Sequence, residues 1–408
     1  MPSTPSLIER AQAVLALNDR GRHTVPSNTL YPHQWAWDSA FAAIGWSCLD
    51  TSRALSELET LMNGQWADGR VPHIQFSPNV TESYFPDARF WEAADSSSIT
   101  QPPVWAIAAQ RIFARGGDSA RIKALLPAIE RSHMYFERAR DPLSWGLVSV
   151  AHPWESGLDN SPTWDQPLSA VNPSLAPQFQ RVDKAKVKDA KMRPTDDEYK
   201  RYAVLVKAIA ADGFGHGPFQ VYCPLMTALL ARSERALASL CEALSVDSEA
   251  SRRAARLMRG LERLYDEERG LYSSYDISSA QRCSVDVLGA YAPIMLKSHQ
   301  ETPVGYDRMI KGLIERYAAD YILPTTSPHA EGFDPDRYWR GPVWVNMNWL
   351  FAEALEEVLP LKEPTLKLVE RAGFYEYFNP QSGEGLGSED FTWSAALCLD
   401  WLSDHEGT

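Results

Sequence analysis

The sequence predicts an all-α fold, an (α/α)6 barrel of six helical hairpins carrying an inserted helical cap. Two observations point to it. Apolar residues recur at three- and four-residue spacing in about a dozen separate segments, while long alternating strand patterns are missing. The loops between these segments are of two kinds, some short and polar, others long and rich in Trp, Pro, Gly and acid. A closed ring of hairpins with short loops on one rim and functional loops on the other accounts for both. A helical solenoid is the alternative, but no repeat of fixed period supports it.

In chain order, helical spacing predicts helices over 6–18, 36–49, 51–63, 102–115, 119–138, 221–231, 234–245, 250–265, 302–318, 342–357, 363–372 and 391–402. Thr51 and Ser52 are expected to cap the third of these, and Asp118 with Ser119 the fifth. Short extended pieces are expected near 71–76 and 270–275. Residues 161–214 break the rhythm with several prolines and a charged stretch, so this segment is assigned as the cap and 1–160 with 215–408 as the barrel. The cap directly follows an acidic loop and is either a lid over a site or a plain surface excursion.

Composition narrows the function. The 408 residues are 44% hydrophobic and 23% charged with a net charge of −13, which disfavours nucleic acid and anionic membrane surfaces as partners. Nothing in the sequence reads as a membrane span, and the N-terminus reads as a capped helix instead of a signal peptide. Five cysteines without a CxxC pair suggest free thiols in a reducing compartment, so a cytoplasmic location is expected. Oligomeric state is left open. The histidines His33, His73, His152 and His216 are scattered, and neither a metal site nor a phosphate loop is expected.

Two loops carry the chemistry. HPWESGLDNSP, from His152 to Pro162, packs Trp154, Glu155, Asp159 and Asn160 between two prolines. FYEYFNPQSGEGLGSEDFTW, from Phe374 to Trp393, holds Glu376 between Tyr375 and Tyr377, and also Glu389. Carboxylates on distant loops among aromatic rings suggest acid–base chemistry on a sugar, with a small-molecule carbohydrate as the partner.

These segments, together with YPHQWAWDSAF and RYWRGPVWVNMNWL in the same order, resemble glycoside hydrolase family 63, and within it the bacterial glucosylglycerate and mannosylglycerate hydrolases; trehalases and processing α-glucosidases are more distantly similar. The resemblance covers roughly residues 31–402. It implies the capped (α/α)6 barrel and hydrolysis of a small α-glucoside or α-mannoside with inversion, with no metal or organic cofactor. Carried over, Asp159 is the general acid and Glu376 the general base, with Glu389 the competitor for the base. Trp154 is expected to wall Asp159 and Glu155 to raise its pKa by charge. Tyr31, Trp35, Asp38, Tyr84 and Gln101 are expected to line the sugar pocket, with Trp339 as a stacking platform. Arg340 either binds substrate or forms a structural salt bridge. Trp349 and Trp401 read as core.

In the glycerate hydrolases the aglycone is held by two tyrosines and a glutamine. Tyr199 matches one tyrosine, the second aligns near Phe333, and the glutamine near Glu389 or Asp390. A carboxylate there would repel glycerate, which favours a neutral α-glucoside or disaccharide as the alternative substrate. A sugar epimerase and a non-catalytic sugar-binding protein on the same barrel are the other classes considered.

Overall fold

The computed structural model describes residues 5–80, 84–299, 301–317 and 321–403. Its helices are α1 (Leu7–Asn18), α2 (Ala36–Ser47), α3 (Thr51–Asn63), α4 (Ala88–Trp91), α5 (Trp105–Ala114), α6 (Ser119–Ala139), α7 (Asp165–Ser169), α8 (Asp196–Ala211), α9 (Pro224–Ala243), α10 (Ala250–Leu261), α11 (Tyr306–Arg316), α12 (Val345–Leu355), α13 (Lys362–Ala372) and α14 (Thr392–Ser403). A 3₁₀ helix spans Leu288–Leu296.

Six of these elements close a ring. α2 packs on α5, α5 on α9, α9 on the 3₁₀ helix, that helix on α12, α12 on α14, and α14 back on α2. Their sequences suit an inner position because they are apolar nearly all round. In α2, AWDSAFAAIGWS, only Trp46 is not buried. Gly45 lets the α2 backbone lie against α14, where a Cβ would meet Ala396 Cα at 2.5 Å. An outer layer of α1, α3, α6, α10, α11 and α13 covers the ring. Outer helices are one-sided: α10 buries Ala250, Arg253, Ala254, Leu257, Met258 and Leu261 and leaves its other face in water.

The structure revises several sequence expectations. The segments 221–231 and 234–245 form one helix, α9. The polar run at Arg232–Arg235 looked like a break, but Ser233 and Glu234 are buried, and Glu234 pairs with Arg253 of α10 at 2.5 Å. The 3₁₀ helix was missed because LGAYAPIML is buried all round, has no amphipathic period, and contains Pro293, which cannot donate to an α-helical ladder. Asp50, not Thr51 or Ser52, caps α3 by accepting from the Ser52 and Arg53 amides. Asp118 caps α6 as expected.

Strands are short. Gln34–Trp35 pairs with Ile74–Gln75, Tyr377–Phe378 with Gly385–Leu386, and a four-stranded antiparallel sheet joins Ser149–Val150, Val221–Tyr222, Ser274–Asp276 and Gln281–Cys283. Between residues 162 and 211 the chain makes 3₁₀ turns, α7 and α8. A capping box of Thr195 and Glu198 starts α8, and Arg201 of α8 donates to the Leu168 carbonyl at the end of α7 at 2.8 Å. The long loops precede α2, α5, α9, α12 and α14, so their side chains gather over the N-terminal ends of the inner helices.

Candidate active site

A cavity of about 620 Å³ opens there. Its floor is aromatic. Trp37 lies 5.3 Å from Trp393 in edge-on contact, and Trp339 stacks on Trp344 at 3.6 Å. Of the expected site residues, Tyr31, Trp35, Asp38, Tyr84 and Gln101 line it, as do Trp154, Asp159, Tyr199, Trp339 and Glu376.

The loop before α7 is built to present Asp159. Pro153 starts a one-turn 3₁₀ helix that ends at Gly157, whose φ of +74° leaves Trp37 against its α-carbon: a Cβ would meet Trp37 Cη2 at 2.5 Å. His152 accepts the Trp154 amide at Nδ1 (3.1 Å), which leaves Nε2–H to donate to the Tyr202 carbonyl (3.2 Å). Burial pushes the His152 pKa down to about 3, so the ring stays neutral. The Tyr202 hydroxyl in turn donates to the Asp159 carbonyl at 2.9 Å, and Asn160 Oδ1 takes the Trp339 amide at 2.9 Å. The Asp159 carboxyl is pushed up to about 8, first by burial and then by the charge of Glu376, against the opposing pull of Arg193.

Glu376 is held differently. It begins the turn into the last strand pair and is buried. Its Oε1 accepts from the Tyr31 hydroxyl at 2.8 Å and lies 3.6 Å from Arg193 Nη1, and its Oε2 accepts the Ser388 amide at 3.1 Å. Burial raises its pKa, while Arg193, Tyr31 and Ser388 all favour the anion. Asp38, in the first turn of α2, is also raised well above the usual carboxylate range, mainly by burial. One cavity therefore holds a carboxyl whose pKa is pushed up to about 8 and a second carboxyl whose polar neighbours favour its anion.

Three expected residues are not brought into the cavity. Glu155 is buried against Arg140, whose Nε and Nη2 donate to it at 3.0 and 2.7 Å; Asp159's shift does not come from it. Arg340 forms a two-pronged ion pair with Asp165 at 2.8 and 2.6 Å, the structural reading of the two open for it. Glu389, the other candidate base, accepts from Tyr375 at 2.8 Å and does not line the cavity. Phe333 and Asp390 do not line the cavity either.

Residues 31–394 match the model of the mannosylglycerate hydrolase MGH1-like glycoside hydrolase domain. The chain belongs to this family. It is 39% identical to a mannosylglycerate hydrolase of Thermus thermophilus, over 96% of this chain and 99% of that one. It is 33% identical to a glucosylglycerate hydrolase of Mycolicibacterium hassiacum, over 98% and 100% of the two chains. The crystal structure of the GH63 mannosylglycerate hydrolase from Thermus thermophilus in complex with Tris and D-glycerate superposes with a TM-score of 0.92 at 38% identity, covering 97% of this chain and 100% of that one.

This MGH1-like glycoside hydrolase cleaves O-glycosyl bonds. Its cavity contains two polar residues the sequence reading missed. Arg193 enters from the segment before α8 and is buried, with Nη1 donating to the Tyr31 hydroxyl at 2.9 Å and its guanidinium 4.2 Å from the Tyr338 ring centre. Tyr338 sits beside Trp339 with its hydroxyl 3.3 Å from that of Tyr31. Arg193 was hidden among the many charges of residues 181–201, and only the following Pro194 set it apart. Tyr338 had a usable signal, since it stands next to Trp339 in RYWRGP.

Proposed function

We propose that this glycoside hydrolase cleaves an α-glycosyl glycerate, a glucosylglycerate or mannosylglycerate, with inversion at the anomeric carbon. The observation that carries the reading is the unlike pair of buried carboxyls in one cavity. Asp159, with a pKa of about 8, donates a proton to the departing glycosidic oxygen. Glu376, anionic among Tyr31, Ser388 and Arg193, takes a proton from the water that attacks the opposite face of the sugar. The water's hydroxide oxygen forms the new bond to carbon as the bond to the aglycone oxygen breaks, and the aglycone leaves protonated by Asp159. Asp38, Gln101 and Trp35 bind the glycone, and Trp154 excludes water beside the acid.

The aglycone assignment rests on charge. Glu389 and Asp390 lie outside the cavity and Arg193 lines it, so an anionic aglycone has a guanidinium to bind beside the acid and base. Tyr199 and Tyr338 add hydroxyls on the same side. The names of the relatives point the same way. The segment from 161 to 214, which supplies Arg193 and Tyr199, acts as the cap over this half of the site. The buried free thiols of Cys223, Cys241, Cys283 and Cys398 suit a cytoplasmic enzyme.

The test is a panel of α-glucosides and α-mannosides of glycerate, glycerol and sugars, followed by NMR of the released anomer. Initial release of the β-anomer from a glycosyl glycerate is expected. Release of the α-anomer, or turnover of the disaccharides alone, overturns the assignment.

A further inference from the structure

We infer that Arg181, which does not line the cavity, is a specificity-determining positioning residue: it fixes Arg193 and Tyr199 in the geometry that receives a carboxylate. The inference rests on the proposed aglycone and deepens it.

Four contacts of one guanidinium carry it. Arg181 Nε and Nη2 donate to Asp183 Oδ1 and Oδ2 at 3.0 and 2.6 Å. Its Nη1 donates at 2.7 Å to the carbonyl of Pro194, the residue directly after Arg193, and to Asp196 Oδ1 at 3.1 Å in the first turn of α8. Its guanidinium carbon lies 3.6 Å from the centre of the Tyr199 ring. Asp183 also accepts from Arg193 Nε at 3.3 Å. Arg181 thus holds the backbone beside Arg193, the acid that orients Arg193 and the ring of Tyr199. Its side chain is 7% exposed, so these contacts are little screened by solvent.

Charge and geometry act in the same direction. Arg181 offsets Asp183, leaving the Arg193 charge to Glu376 and to an incoming anion. Without Arg181, the Asp183 carboxylate would draw Arg193 toward itself and lower its hold on a ligand carboxylate. A flat guanidinium is needed, because a lysine can offset the charge but cannot make the two-pronged bond and the ring stack together.

The experiment compares wild type with Arg181→Met and Arg181→Lys on α-glycosyl glycerate and on the matching α-glycosyl glycerol, with D-glycerate as a competitive inhibitor. For Arg181→Met, KM for the glycerate substrate and the inhibition constant of D-glycerate are expected to rise about tenfold, at least five times more than KM for the glycerol substrate. Arg181→Lys is expected to recover part of the loss. Equal losses on both substrates, or no loss of glycerate inhibition in a variant with wild-type circular dichroism, overturn the inference. If Arg181→Met does not fold, Arg181→Lys alone decides, on the same ratio. A wild-type enzyme that does not prefer glycerate over glycerol instead defeats the proposed aglycone, so the two failures are separable.

Discussion

The Tyr31 hydroxyl donates to Glu376 Oε1 at 2.8 Å and itself accepts from Arg193 Nη1 at 2.9 Å. This links the loop before α2, the loop before α14 and the cap segment through one oxygen. Burial raises the Glu376 pKa, and the Tyr31 bond opposes that rise. A bond to a charged acceptor is worth roughly 1.5 kcal/mol, or about one pH unit. Tyr31→Phe is therefore expected to move the acidic limb of kcat upward by about one unit. A pH–rate profile checks this. A uniform fall at every pH with an unmoved limb would remove Tyr31 from the control of the base.

Asp159 sets the opposite limb. In the proposed mechanism its acid form is the active one, and its pKa is pushed up to about 8. Activity should hold below that pH and fall as pH rises through it. Asp159→Asn should lower kcat by about 10²–10⁴-fold with little change in KM. The folded pKa lies above the unfolded one, so wild type loses stability as pH rises from the ordinary carboxylate range to about 8. The amide has no such loss. The melting temperature of Asp159→Asn should therefore gain on wild type between pH 4 and 8, by several degrees at pH 8. Parallel melting curves across that range would show that Asp159 is not a strained acid.

Gly387 packs against Glu376, the proposed base. Its φ is +74°, and a Cβ there would meet Glu376 Oε2 at 2.4 Å. Gly387→Ala should displace the carboxylate while leaving the barrel folded. A displacement near 1 Å costs about 10² in rate. The expected result is a kcat loss on that order with a normal helical spectrum, and unchanged kcat would mean that the position of Glu376 is not critical.

The barrel was legible because period and burial agree in most helices, and it was misread where they part. α9 reads as two helices because Ser233 and Glu234 are polar by type yet buried and paired. The 3₁₀ helix at Leu288–Leu296 has no polar face from which to read a period. Trp35, Asp38, Trp154, Asp159 and Glu376 were legible as candidates from their aromatic, acid-rich motifs and the family resemblance those motifs carry, and they line one cavity. Arg193 was not found, since an arginine among lysines and aspartates looks like a solvated surface until the fold buries it. Glu155 departs in the opposite sense, and Arg340, open between a substrate contact and a salt bridge, takes the salt bridge. Proximity in sequence to Asp159 and Trp339 does not determine which way a side chain points, and both turn away to partners on other segments.

Glu155 gives the sharpest separation of position from role. It stands four residues before Asp159, yet its Oε1 takes Arg140 Nη2 and the Thr100 amide, and its Oε2 takes Arg140 Nε and the Ala151 amide at 2.8 Å. Arg140 holds its carboxyl below the usual range against the pull of burial, so it is ionised throughout the working pH. Glu155→Gln would leave the buried Arg140 charge without its counter-ion and set an amide N–H against donors. Breaking a buried pair this way costs about 3–5 kcal/mol, and the melting temperature is expected to fall by on the order of 5–10 °C. The alkaline limb set by Asp159 is expected to stay in place, because burial and Glu376, not Glu155, raise that carboxyl. Thermal melting together with a pH–rate profile of the same variant separates the two roles. An unchanged melting temperature with the alkaline limb a unit lower would return Glu155 to the site as the charge that tunes the acid.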